Sequence, residues 1–547
     1  MASLAPVPAT APVRKLRVGV FADGARQPRW IVEALAKVAS SDYAEIVAIC
    51  LVPSRGQTGV RAGTDQGQTG VVAGSERGQT PVWRLYSAID RKAFGAKADW
   101  EGKCDIETLV PKARRMACEE LARGEAAALD VAFAIGDVDD ASLDGLARHG
   151  TWRYCFGEGQ GTCEAMAGVR EVIDSAPVTA SGLRIRLGAG RQDRVAQQSW
   201  ARTLSISAAK SRGNVFAKAS EFVARALREL HAMGPEWMEA RTVAAKDIAQ
   251  ESTPGAGDAA RMVARIAERA ASKVVNVEQW SLAFRFTQIE PWSASLDGFF
   301  RLEPPKDRFW ADPFPIQRGG KSYIFFEELP FAAGKAHISV VEVDREGNAS
   351  KPVRVLERDY HLSYPFLVED QGELYMIPET AHNDTVEIYR CVDFPYKWKR
   401  EHVLMEGIRA ADATLHRADG RWWMFANVAA HGAEMHDELH LFSAAELLGD
   451  WNPHRSNPVK SDVRASRPAG KLFTVGGRLY RPAQICAPLY GSGVAINRVT
   501  SLSHEAFSEE EERRIVPAKE SGLLGLHTIN RAGDLSVVDV FSRSRRF

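Results

Sequence analysis

The second half of the chain alternates apolar and polar positions in short runs, and the pattern returns every ~40–50 residues. Each copy opens on a polar or aromatic residue beside Pro or Thr. A turn containing Gly follows, then a strand rich in aromatic and β-branched residues. The first copy reads Ala311-Asp312-Pro313-Phe314, Gly319-Gly320 and Tyr323-Ile324-Phe325-Phe326. The second has Ser363-Tyr364-Pro365-Phe366, Gln371-Gly372 and Leu374-Tyr375-Met376-Ile377, and the third Ala411-Asp412-Ala413-Thr414, Asp419-Gly420 and Trp422-Trp423-Met424-Phe425. The fourth has Ser466-Arg467-Pro468-Ala469, Gly476-Gly477 and Leu479-Tyr480-Arg481. Asp-Gly and Gly-Gly pairs supply the positive φ angles of tight hairpins. The repeat predicts a β-propeller over 279–547, with a β-sandwich as the alternative. A fifth blade is expected from Glu511–Val516 and Gly525–Phe541 with Trp280–Thr287, so that both ends of the propeller segment close the ring and remove a free sheet edge.

The first part of the chain has a different rhythm. Leu16–Phe21 is an apolar run, Arg26–Ser40 has helical spacing (Ile31, Val32, Leu35, Val38), and Glu45–Val52 is apolar again. Strand, helix, strand predicts a parallel α/β sheet over 16–190. Helices are expected at Trp83–Phe94 and Ile106–Gly124, and further strands at Ala128–Ile135, Gly150–Phe156 and Pro177–Leu187. The residues after the first strand, Ala22-Asp23-Gly24, are no Gly-rich phosphate loop, so a dinucleotide site is not expected. Residues 1–15, rich in Ala and Pro, are expected to be a disordered leader rather than a signal peptide. Residues 53–82 repeat Gln-Thr-Gly-Val with almost no large apolar side chains, which predicts a disordered insertion. Residues 191–278 carry the amphipathic stretches Val215–Met233 and Asp258–Val275 and are expected to form a helical bridge.

Composition narrows the classes. A chain of 547 residues is too long for one core. Its 70 basic and 70 acidic residues balance, which argues against nucleic acid as a partner. No apolar run reaches the length of a membrane span. Seven scattered cysteines without zinc-site spacing point to reduced thiols and a cytoplasmic location.

Inner strands of a propeller start near its axis, so the residues that open successive blades converge. Those residues include Asp312, Tyr364, Asp412 and Arg467, followed by Glu328, Glu379, His416 and Arg481. Carboxylates that share a cavity are what glycosidic chemistry requires. Asp312 is the expected base or nucleophile, Asp412 its electrostatic partner, and Glu379 or Glu328 the acid. Asp312 and Asp412 as simple turn caps are the structural alternative. Arg464, Arg467 and Arg481 with His527 suggest a grip on an anionic sugar, since Arg forks match phosphate and carboxylate. Structural ion pairs between blades are the other account of the same cluster. Gln484 and the ring of Trp310 complete the expected substrate contacts. A metal is possible, but no ligand spacing requires one.

Two resemblances extend this reading. Over Leu16–Leu187, element order and the segment Gly150–Glu158 followed by Pro177-Val178-Thr179 resemble the formyltransferase-like fold, the class of methionyl-tRNA formyltransferase. That resemblance implies a His after the strand and an Asp beyond it. Cys155 and Phe156 stand at the His-equivalent positions and only Glu158 offers a carboxylate, so a degenerate domain without folate is expected. The propeller resembles those of arabinanases, β-xylosidases, invertases and levansucrases, which implies catalytic roles for Asp312 and Asp412, although their later-blade Glu is replaced by Arg467-Pro468-Ala469-Gly470. It more closely resembles the N-terminal domain of plant glucosamine inositolphosphorylceramide transferase and its bacterial relatives. The matching segments are Phe309–Phe314, Ser363–Phe366, Met376–Thr380, Asp412–His416, Asn457-Pro458-Val459, Asp462–Gly470, Arg481–Gln484 and His527-Thr528. This implies glycosyl transfer to a cell-surface glycan or glycolipid, from a nucleotide-sugar or sugar-phosphate donor, within a biosynthetic complex or homo-oligomer. Hydrolysis of arabinanase type and a non-catalytic sugar-binding or scaffolding propeller are the alternatives, with a working formyltransferase a weaker one.

Overall fold

The computed structural model describes residues 14–52, 80–95, 99–106, 114–115, 128–157, 166–246, 253–287, 296, 298–429 and 432–545. The expected leader up to residue 13, the insertion over 53–79, most of the helix expected at Ile106–Gly124, and Glu158 lie outside the described residues. The chain forms two compact units.

The first unit is built on an eight-stranded mixed sheet. Its spatial order is Thr242–Ala244, Arg194–Arg202, Val178–Arg186, Thr151–Phe156, Val131–Ile135, Leu16–Ala22, Ala44–Leu51 and Arg114–Arg115. Leu16–Ala22 runs parallel to both its neighbours. Its residues Val18, Val20, Phe21 and Ala22 are all buried, as a central parallel strand requires. The helix Arg29–Ala39 buries Trp30, Ile31, Ala34, Leu35 and Val38. Trp30 stacks on Phe216 at 4.9 Å between ring centroids. Phe216 lies on the helix Ala208–Met233, which therefore belongs to this core.

That finding corrects the helical bridge expected over 191–278. Arg194–Arg202 is a strand rather than a helix, and the amphipathic stripe of Ala208–Met233 packs on the first unit. Only Ala256–Val275 stands as a helix just before the propeller.

The second unit contains a five-bladed propeller. Blade 1 runs through Arg308–Arg318, Lys321–Pro330, His337–Val343 and Val353–Leu356, and blade 2 through Ser363–Asp370, Glu373–Glu379, Thr385–Asp393 and Lys397–Glu406. Blade 3 comprises Ala410–Ala418, Arg421–Val428, Glu438–Ala444 and Asn452–Pro453, with Lys460–Ser461 alongside. Blade 4 comprises Phe473–Val475, Arg478–Ile485, Gly493–Leu502 and Phe507–Ile515. The expected turns are present: Gly319-Gly320, Gln371-Gly372, Asp419-Gly420 and Gly476-Gly477 each hold two successive positive φ angles.

Blade 5 closes the ring. Ile529–Ala532 and Leu535–Arg545 come from the end of the chain, while Asn276–Phe286 and Phe300–Leu302 precede blade 1. Phe507–Ile515 pairs within blade 4, so the expected contribution of Glu511–Val516 to blade 5 is corrected. No described helix is long and apolar enough to cross a membrane.

Leu535–Arg545 pairs with Asn276–Phe286 along its whole length. A chain ending at Asp534 leaves blade 5 without its central strand and exposes the edge of Asn276–Phe286. The propeller is expected to lose its cooperative melting transition in calorimetry. An unchanged transition would contradict the closure.

Candidate functional site

Blades 1, 2 and 3 open on one device. The inner strand slips register against its neighbour at Ala311/Phe314, Ser363/Phe366 and Ala411/Thr414. The residue inside each bulge is left-handed, with φ of 51° at Asp312, 47° at Tyr364 and 54° at Asp412. A non-glycine residue there costs roughly 1–2 kcal/mol. The bulge turns these side chains out of the sheet, where they meet groups from other blades. Arg467 opens blade 4, and His527 precedes the inner strand of blade 5.

A second ring lies beside the first. Glu327 pairs with Ala311, Glu379 with Ser363 and Asn427 with Ala411, each on the second strand of its blade. Gln484 donates its backbone N–H to the carbonyl of Arg467, and Asp539 to that of Thr528. All five are buried.

Asp539 organises the side of blades 5 and 1. Its Oδ1 accepts the backbone N–H of His527 and of Thr528 at 2.9 Å each, and its Oδ2 accepts the N–H of Asp312 at 3.0 Å. The same carboxylate pairs with His527 Nδ1. His527 Nε2 lies 3.8 Å from Asp312 Oδ1, which also accepts the Thr528 hydroxyl at 2.7 Å. Burial disfavours a charged His527, yet Asp539 and Asp312 overcome it and raise the imidazole to about 9. Burial also lifts the Asp312 carboxyl to about 7; His527 opposes this and Asp412 adds to it.

Arg467 organises the side of blades 2, 3 and 4. Its Nε donates to Asp412 Oδ2 at 2.6 Å and its Nη2 to Asp412 Oδ1 at 3.1 Å. Nη2 also reaches Glu379 Oε2 at 3.2 Å, and Nη1 reaches His436 Nδ1 at 3.1 Å. Gln484 Nε2 donates to Asp412 Oδ2 at 2.8 Å. Burial pushes the Glu379 carboxyl well above its ordinary range; Arg467 opposes this, while Asp412 adds to it. Burial and then the Arg467 charge hold His436 neutral. Tyr364 braces the same side, its hydroxyl 2.8 Å from Thr414 Oγ1 and accepting the N–H of Gly470 at 2.7 Å.

Aromatic rings pack beside these groups. Trp280 stacks on His527 at 4.0 Å, and half-buried Tyr490 meets His527 edge-on at 5.2 Å. The Arg467 guanidinium sits 5.2 Å from the Tyr490 ring. Gly491 has φ of +67°, and a Cβ there would stand 2.6 Å from Trp280.

Residues 303–529 match a family model. Its description is glucosamine inositolphosphorylceramide transferase 1, N-terminal. The chain is 34% identical over 205 residues to glucosamine inositolphosphorylceramide transferase 1 of Oryza sativa subsp. japonica, covering 37% of this chain and 27% of that protein. It is 31% identical over 218 residues to the Arabidopsis thaliana protein of the same name, covering 39% and 28%. The chain thus spans little more than a quarter of the length of these curated relatives. Among solved structures it is similar to a family 117 glycoside hydrolase of Zobellia galactanivorans, with a TM-score of 0.33 and 11% identity over 48% of this chain and 90% of that one.

Of the residues singled out from the sequence, Asp312, Asp412, Glu379, Arg467, Gln484, Tyr364 and His527 meet in this network. Others do not. Glu328 faces away from Glu327 and binds Arg308, His337 and Ser339 at 2.7, 3.2 and 2.6 Å. Burial raises its carboxyl, but these bonds win and bring it down to about 2, so it is no proton donor. Arg481 is fully buried against Glu509 and the carbonyls of Ala465 and Ser466. It holds the segment before Arg467 rather than a substrate. Arg464 pairs with Asp462, Trp310 packs on Phe326, and His416 lies four residues along the strand from Asp412. The guanidinium of Arg467 is itself engaged by Asp412, Glu379, His436 and the carbonyl of Met435, so the expected grip on an anionic group is corrected.

Sequence reasoning missed Asp539, Glu327, Asn427, His436 and His361, which lies 3.1 Å from Glu327. The signal for Asp539 was a lone carboxylate inside Val537-Val538-Asp539-Val540, an apolar run. Asp312, His527 and Asp539 also bring three ligand atoms within 4.8 Å of one another, a set that could hold a cation. Such a cation would compete with the proton on His527.

Two outcomes follow from these partners. A folded imidazole raised to about 9 from 6.5 stabilises fully below pH 6.5 and loses that effect as pH rises through 9. A carboxyl raised to about 7 from 3.8 likewise stabilises below pH 3.8 and loses the effect as pH rises through 7. Melting temperature is therefore expected to fall across these windows, with Asp312→Asn flattening the lower one and His527→Gln the upper. Profiles unchanged by both would contradict the assignment. Arg481→Met leaves Glu509 buried beside Lys460 alone among its cations, and unfolding in urea is expected to show a loss of about 3–5 kcal/mol.

Proposed function

We propose that the propeller transfers a glycosyl unit to an acceptor of glycolipid type, with Glu379 as acid and Asp312 as base or nucleophile. The carrying observation is a pair of buried carboxyls on different blades with different partners, Glu379 against the Arg467 guanidinium and Asp312 against the His527 imidazole. Burial raises both carboxyls, Glu379 well above its ordinary range and Asp312 to about 7. Glu379 would give its proton to the leaving oxygen, and Asp312 would take one from the acceptor hydroxyl or attack the anomeric carbon. Asp412, clamped by Arg467 and Gln484, raises the acid beside it. Asn427 supports a ligand at the axis, because both polar atoms of its fully buried carboxamide lack a partner among the described residues. An orphaned amide costs about 1–3 kcal/mol, a loss that sugar hydroxyls would offset.

The acceptor class rests on the name borne by the plant relatives, which this chain matches over a minor part of their length. The donor sugar is proposed to be uncharged at the axis. Arg467 is committed to Asp412 and Glu379, and His527 to Asp539 and Asp312. That same commitment favours a second reading, hydrolysis, in which water takes the place of the acceptor and no donor phosphate needs a grip. For the first unit we propose a degenerate formyltransferase-like domain. Cys155 and Phe156 are buried there, and burial pushes the Cys155 thiol up to about 12, which leaves no base or nucleophile at that strand.

The test incubates the full chain with nucleotide sugars or simple furanosides and pyranosides, with and without an inositolphosphorylceramide, and identifies products by mass spectrometry. A glycosylated lipid is expected, and Asp312→Asn and Glu379→Gln should each lower kcat/KM about 10²–10⁴-fold. The rate should rise with pH through about 7 as Asp312 ionises. Free sugar as the sole product would establish hydrolysis. Full activity in Asp312→Asn would sink both readings.

A further inference from the structure

The inner strands of blades 4 and 5 are short. Phe473–Val475 and Ile529–Ala532 have 3 and 4 residues, against 11, 8 and 9 in blades 1, 2 and 3. Between them lies a cleft of about 460 Å³, a volume within the range of small-molecule sites. Its floor is apolar, with Ile515, Leu526 and Val538 buried, and its sides carry Phe473, Val475 and Ile529.

The charges in the cleft are one-sided. Lys471, Arg285 and Arg531 line it, and among the described residues no carboxylate does. Arg285 lies over the ring of Phe299 at 4.5 Å, and Arg531 Nε donates to the carbonyl of Gly533. Lys471 is different. Its backbone N–H is fixed by Asn530 Oδ1 at 2.8 Å, while its ammonium lies 5.5 Å from the centroid of the Phe366 ring. No hydrogen bond or ion pair holds that ammonium among the described residues. Burial pushes it down to about 8, with Glu369 acting against the shift.

We infer that this cleft binds an acidic single-chain amphiphile, its apolar chain along Phe473, Val475 and Ile529 and its anionic head at Lys471. An apolar trough rewards a hydrocarbon chain in proportion to the surface it covers. A cation that no carboxylate pairs with directly rewards an anion more than it would in water. The site is separate from the carboxylates of the axis and does not depend on their chemistry.

The experiment titrates the full chain by calorimetry with decanoate, decyl phosphate and decanol. The two anions are expected to bind at least tenfold tighter than decanol, and the tighter of them identifies a carboxylate or a phosphate head. Lys471→Met should weaken the anions at least tenfold and leave decanol unchanged. Val475→Trp, at a half-buried lining position, should weaken all three. Circular dichroism confirms that both variants melt as the parent does. No binding by any of the three, anion affinity indifferent to Lys471→Met, or binding indifferent to Val475→Trp would overturn the proposal. Asp312→Asn should leave these affinities unchanged, so a failure here is separable from a failure of the transferase reading.

Discussion

Arg467 is the cation on which one half of the propeller axis depends. It opens blade 4 and bonds Asp412 of blade 3 and Glu379 of blade 2, so one guanidinium ties three blades together. A buried charge is tolerated only when it is paired and hydrogen-bonded. That requirement explains why Gln484 completes the shell of Asp412. Asp539 does the corresponding task for the other half, where one carboxylate accepts three backbone N–H groups and pairs with an imidazole. The ring is therefore closed twice, by strand pairing at its rim and by charge at its axis.

The same constraint shapes the chemistry. Cations consumed by internal carboxylates have little left for a phosphate. Burial raises the carboxyls of both Asp312 and Glu379, which sit against different partners. Different surroundings are what set an acid apart from a base.

Much of the propeller was legible in the sequence because its signals are local. Paired glycines and Asp-Gly steps mark the hairpins, and the small-X-Pro and Ala-Asp-Ala-Thr motifs mark the bulges that present Asp312, Tyr364 and Asp412. The second ring was only half legible. Adjacent strand residues face opposite sides, so choosing between Glu327 and Glu328 needs the register, and the bulge at Ala311/Phe314 changes it. Arg481 could not be told from a ligand-binding arginine, since its partner Glu509 is decided by packing, whereas Asp462, which holds Arg464, stands only two residues away. The helix Ala208–Met233 was visible as a helix, but nothing local said which core its stripe would join. Asp539 was marked only by its apolar neighbours, and its partners lie more than two hundred positions away at Asp312 or close by at His527.

The central claim is that the axis holds a neutral sugar between Asp312, Glu379 and Asn427. Crystals of the full chain soaked with a neutral glycoside test it most directly. The account predicts sugar density at the axis, with a hydroxyl within hydrogen-bonding distance of the Asn427 carboxamide and the glycosidic oxygen facing Glu379. An axis that stays empty while the sugar binds elsewhere, or a sugar that reaches neither carboxyl, would contradict it.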